Sequence, residues 1–213
     1  MCFSAAASLI AGGALTATGV VTIGKVKSRS EIPFASIPLF FGIQQLLEGM
    51  VWLSLQSGDV LFNSYAAKGF SFFAYVFWPV FVPIAVLMME KDKQRKKIIA
   101  AFVALGVAIG IHTLYAVLRF PVSSNIVNES IVYGVATQFN FLTLIPYVVA
   151  TCFSCLFSSH KTARVIGGLT LFFAVIAYVF YTVEFVSVWC FFAAIISLLV
   201  FDFFLQRGKS SLP

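Results

Sequence analysis

IPFASIPLFFGIQQLLEGMVWLSL, residues 32–55, carries one formal charge, Glu48, with Gln44 and Gln45 one helical turn before it. A run of about 20 apolar residues is long enough to cross the ~30 Å hydrocarbon core of a bilayer as a helix. A carboxylate at that depth is expensive unless it is neutralised or paired, so it marks a functional site and requires a partner elsewhere in the chain.

The rest of the chain has the same character. It is 61% hydrophobic and 10% charged, with 25 Phe in 213 residues and a mean hydropathy of +1.00, whereas soluble domains are roughly 25% charged. In lipid, backbone polar groups have to be satisfied within helices. The expected fold class is therefore all-α: one polytopic membrane domain over residues 1–213. Apolar runs place seven transmembrane helices at about Phe3–Ile23, Ile32–Leu55, Ala67–Met89, Ile98–Leu118, Tyr133–Phe157, Val165–Phe185 and Val188–Leu205. Phe120–Ser130 is the longest polar link. The fifth span opens on Gln138 and Asn140, and the sixth and seventh join tightly around Val186–Ser187. Pro33, Pro38, Pro79, Pro83 and Pro146 suggest bends.

Every Lys and Arg except Lys68 and Arg119 falls in alternate connections or the tail, on one side of this topology. The positive-inside rule then puts the N-terminus outside and the C-terminus inside. The net charge of +6 is a topology signal that suits an anionic lipid surface and needs no nucleic-acid partner. Lys25 and Lys27 follow the first apolar run, whereas a secretory signal is basic before it, so the first span is expected to remain as a helix. Its small residues Ala5, Ser8, Gly12, Thr16 and Gly19 recur at the spacing that lets membrane helices approach closely.

Polar residues gather toward the outer half. Gln45, Glu48 and Trp52 share one face of the second span at i, i+3 and i+7. His112, Tyr115 and Arg119 do so on the fourth, Tyr178, Tyr181, Thr182 and Glu184 end the sixth, and Trp189 begins the seventh. Converging, these faces would form a polar pocket for a small ligand or ion, built from Gln44, Gln45, Glu48, Trp52, His112, Tyr115 and Tyr181, with Glu48 and His112 as a carboxylate–imidazole pair. Glu48, His112 and Glu184 together have the chemistry of a metal site. The structural alternatives are a helix–helix hydrogen bond for His112, an interfacial carboxylate for Glu184, and aromatic-belt anchoring for the tyrosines and tryptophans.

Cys152 and Cys155 lie in an apolar helix with no basic neighbour to activate a thiol and read as packing. Cys2 and Cys190 map to the outer ends of their helices, where an oxidising compartment permits a disulfide. Two histidines do not supply the three-histidine zinc site of seven-helix ceramidase-like hydrolases. There is no HExxH, GxSxG, P-loop or dinucleotide fingerprint, and no cofactor is indicated.

The opening MCFSAAAS, together with the QQLLEG turn, resembles an uncharacterised family of bacterial multi-pass membrane proteins with an MCFSA start and a QQxxEG motif. The resemblance covers the first two spans and points to Cys2, Phe3, Ser4, Gln44, Gln45, Glu48, Gly49 and Trp52. It implies a bacterial inner-membrane protein and carries no activity with it. Three readings follow: a sensor or transporter that binds a small ligand or ion, a metal-assisted membrane hydrolase, and a structural or partner-binding membrane protein. The balance favours a non-enzyme.

Overall fold

The computed structural model describes residues 4–135 and 141–209. Helix α1 (Ala5–Ile23) starts where the Ser4 hydroxyl accepts the Ala7 N–H at 3.2 Å, a serine N-cap. Its buried face, Ala5, Ser8, Gly12, Leu15, Gly19 and Thr22, lies along α2 (Arg29–Ser57). The small-residue stripe has the role its spacing suggests. A Cβ on Gly19 would strike the Leu39 backbone, and one on Gly42 would meet the backbone of Thr16.

Pro33 and Pro38 open the two helical stretches of α2, Ile32–Ala35 and Ile37–Ser57, where a missing N–H costs nothing. The helix ends at Gly58, whose φ of 72° is one that glycine adopts without strain.

Helix α3 (Val60–Met89) widens into a π-helical turn over Phe72–Phe77. Pro79 has no N–H to give to the Tyr75 carbonyl. The Thr113 hydroxyl of α4 (Lys93–Arg119) donates to that carbonyl instead, at 2.8 Å. The Ala74 carbonyl accepts the Tyr147 hydroxyl at 2.7 Å. Side chains from neighbouring helices thus satisfy backbone groups that have no water to turn to. The Pro79 carbonyl itself presses on Gly106 of α4, where no Cβ fits.

After α4 the chain departs from the all-α expectation. Strands β1 (Val122–Val127) and β2 (Ser130–Val135) pair antiparallel, with Val127 opposite Ser130. Asn128 and Glu129 form the turn with φ of 46° and 57°, both positive as a two-residue type I′ hairpin requires. Tyr133, expected to begin the fifth span, is instead in β2, stacked on Phe70 with ring centroids 4.2 Å apart. Ile131 and Tyr133 are buried while Gly134 is exposed. Hydropathy averaging reads that alternation as an apolar run.

The fifth helix, α5 (Leu142–Leu156), is consequently short, roughly 22 Å at ~1.5 Å per residue. It has its own π-helical turn at Val149–Phe153. Gln138 and Asn140 lie outside the described residues. Helix α6 (Lys161–Phe180) and α7 (Phe185–Arg207) are joined by residues 181–184, not at Val186–Ser187, which lie within α7. The apolar run continues across this junction, and only Thr182 and Glu184 mark it. Among the described residues six helices are long and apolar enough to cross a membrane, and α5 is a shorter seventh.

The basic connections gather at one end of the bundle. Arg207 of α7 pairs with Glu31 at the start of α2 at 2.7 Å, not with Asp202, which accepts from Gln206. The hairpin sits at the opposite end. Ser124 of β1 donates to Asn63 at 2.8 Å, and Asn63 donates to Ser54 of α2 at 2.9 Å.

Candidate functional site around Glu48

Near the middle of α2, Glu48 is 0% exposed. One carboxylate oxygen accepts the Gln45 side-chain amide at 3.1 Å, and the other accepts the Ser187 hydroxyl of α7 at 2.7 Å. The i, i+3 spacing of Gln45 and Glu48 puts both on one face. The α6–α7 turn ends early enough to deliver Ser187 to that face.

Gln44 faces the next element round. Its side-chain oxygen accepts the Trp78 indole N–H of α3 at 2.6 Å. Trp78 is stacked on Phe41 with centroids 3.9 Å apart. The Gln44 amide also lies against the Cys190 thiol of α7. Three elements therefore meet at two consecutive glutamines and one glutamate. Two buried polar atoms around them, Gln45 Oε1 and Trp52 Nε1, have no hydrogen-bond partner, and Gln44 Nε2 meets only the weakly accepting Cys190 thiol. A buried donor or acceptor left unpaired costs about 1–3 kcal/mol.

The other expected site residues lie elsewhere. His112 is exposed, on the opposite side of α4 from its buried stripe of Gly106, Gly110, Thr113 and Val117, so the Glu48–His112 pair is not brought together. Tyr115 is 60% exposed and Tyr181 40%, whereas Glu48 is fully buried. Trp52 is the exception: one helical turn after Glu48, it is buried in a cluster that holds Phe70, Tyr133 and Cys190. Glu184 is buried too, but its carboxylate accepts the Asn128 amide of the hairpin turn at 2.8 Å. Glu48, His112 and Glu184 are thus held by three different environments, and no group of three His, Cys, Asp or Glu is placed to bind a metal among the described residues. Cys190 is a free buried thiol, as are Cys152 and Cys155. Cys2 lies outside the described residues.

A cavity of about 60 Å³ is bounded by Trp78 and Cys190, which meet Gln44, and also by Phe41, Tyr147, Trp189 and Ser197; Glu48 is not part of its wall. Its walls are almost entirely apolar. The polar pocket expected from helix faces is thus a packed cluster, and the open space beside it is greasy.

Residues 1–212 match a family model described as a family of unknown function, DUF6629. The chain belongs to this family. No curated protein and no solved structure matches it. The DUF6629 match runs through all seven helices and the hairpin, well beyond the two spans that carry the MCFSA and QQLLEG sequences.

Three members of the polar framework were not singled out in the sequence. Ser187 falls at the expected turn between the last two spans, and Trp78 lies in an apolar run without any polar neighbour to mark it. Glu90 follows α3 at the basic end, where a carboxylate is unremarkable until its burial is known. It is 1% exposed and accepts the Ser159 hydroxyl and N–H, each at 2.6 Å, the Ser158 hydroxyl at 3.2 Å, and the N–H groups of Lys91 and Asp92. Burial alone would raise its pKa, but the bonds from Ser159, Asp92 and Lys91 outweigh it and hold the carboxyl at about 2. Arg95 and Arg164 both donate to the Ser158 carbonyl. The α3–α4 and α5–α6 connections are clamped together by one buried carboxylate.

Proposed function

We propose that this DUF6629 member is a multi-pass protein of a bacterial inner membrane, a single domain that crosses the bilayer seven times. In this reading its N-terminus is outside and its basic connections are in the cytoplasm. The Glu48 cluster is its functional centre, binding a small ligand or ion as a sensor or transporter.

One observation carries this reading: a fully buried carboxylate, bonded between α2 and α7, is flanked by the unpaired polar atoms of Gln45 and Trp52 and by a Gln44 amide that meets only the Cys190 thiol. A purely structural ion or hydrogen-bond network would be expected to satisfy its own members. Spare donors and an acceptor beside a carboxylate are what a small polar ligand, an ion with its water, or a proton pathway would use. The separated positions of Glu48, His112 and Glu184 take away the ligand set that a metal-assisted hydrolase would need.

A ligand that binds the folded state raises its melting temperature. Protein extracted gently from membranes should therefore melt higher than the same protein after exhaustive detergent washing. Glu48→Gln should lose less melting temperature on washing than the wild type, since washing also strips lipid that owes nothing to Glu48. Equal responses of the two proteins would contradict the reading.

A further inference from the structure

The cavity beside Trp78 adjoins a second apolar space. Between α5 and α6, toward the hairpin end, a groove of about 220 Å³ is lined by Leu144, Val148, Leu171, Val175 and Phe185, among other apolar residues. The two spaces use adjoining faces of the same helices: Tyr147 and Thr170 line the cavity, and their sequence neighbours Val148 and Leu171 line the groove. The Trp189 indole lines the cavity and lies against Phe185, which lines the groove. It donates to the Thr170 carbonyl at 3.0 Å, and its ring lies 5.3 Å from that of Phe185 and 5.5 Å from that of Tyr147.

The groove has an open side. Ile145 is 47% and Val175 57% exposed, in a segment flanked by helices apolar enough to cross a membrane. An apolar cavity does not retain water, which would find no hydrogen-bond partners there, and an empty one forfeits the dispersion contacts of its walls. The hydrophobic matter available at that depth is hydrocarbon chain, and a cavity of about 60 Å³ is too small for a ring system, since a dry site of ~150 Å³ holds benzene. We propose that a single acyl chain of a membrane lipid lies in the α5–α6 groove and passes Trp189, with its end in the cavity against Trp78. This does not require Glu48 to bind anything, and either idea can fail alone.

Bromine on an acyl chain quenches tryptophan on contact. The protein would be reconstituted into phosphatidylcholine vesicles with brominated or ordinary chains, as Trp52→Phe and as Trp52→Phe/Trp78→Phe. The difference between the two proteins is the Trp78 emission. Trp189 lies against Phe185, a groove residue, and reports chains in the groove through that contact, whereas Trp78 is 3% exposed and reports only a chain inside the cavity. Trp78 is expected to lose as large a fraction of its emission as Trp189. Filling the cavity with Ala193→Leu, or independently with Val82→Phe, should restore Trp78 emission while leaving Trp189 quenched. Unquenched Trp78 would overturn the proposal. So would quenching that persists in whichever filled variants fold, or quenching of Trp78 by aqueous acrylamide, which would show a wet cavity.

Discussion

Ser187→Ala takes a 2.7 Å hydrogen bond from a fully buried carboxylate, and should cost about 1–3 kcal/mol, read as a lower melting temperature in detergent. Ser187→Thr, which keeps the hydroxyl, should recover part of the loss. Glycine positions give a sharper contrast. At Gly106 a methyl group would be driven into the Pro79 carbonyl, which is backbone and tied into the helix, whereas at Gly13 it would meet nothing within 4 Å. Gly106→Ala is expected to cost at least about 1–3 kcal/mol, as overpacking does. Gly13→Ala should be neutral or stabilise by up to ~1 kcal/mol, the helix preference of alanine over glycine. Equal melting temperatures for the two variants would mean that α3 and α4 are not in contact there.

Among the elements, the hairpin and the Glu90 clamp each make a prediction. Glu129 holds φ at 57°, a conformation that costs a non-glycine residue roughly 1–2 kcal/mol. Glu129→Gly completes the Asn-Gly pair favoured in type I′ turns and should raise the melting temperature; a fall would mean that the turn has another geometry. Glu90 has its carboxyl held at about 2, below the ordinary 4.5. A folded-state pKa lowered in this way contributes stability that is fully present above the unfolded value and lost as pH falls through the folded one. Acid melting of the wild type between pH 5 and pH 2 should therefore be steeper than that of Glu90→Gln, whose slope in that window should flatten.

These elements also show what the sequence could convey. Apolar runs located six of the helices to within a few residues, apart from the start of α3, because hydrocarbon thickness dictates their length. The hairpin was missed because Ile131 and Val132 raise the mean hydropathy whatever face they take. The α6–α7 turn was misplaced because nothing breaks the apolar run strongly. Glu48 and the two glutamines stood out by depth alone. Their partners did not, since serine and tryptophan are ordinary in membrane helices and only the fold brings Ser187 and Trp78 to α2. Convergence of His112 with Glu48 depended on the rotation of α4, which a short polar pattern leaves unfixed.

At the scale of the molecule, clustering of the basic connections at one end, closed by the Glu31–Arg207 and Glu90 contacts, supports a topology with that end in the cytoplasm. In inverted and right-side-out vesicles, a cysteine introduced at Lys96 should react with an impermeant maleimide only from the cytoplasmic side, and one at Ser64 only from the other. The functional reading rests on Glu48, and native mass spectrometry of gently released protein beside Glu48→Gln addresses it most directly. A discrete added mass on the wild type that is absent from a folded Glu48→Gln is the predicted result. Identical masses, whether both bare or both carrying the same species, would contradict a ligand site at Glu48 and leave the cluster as a strut between α2 and α7.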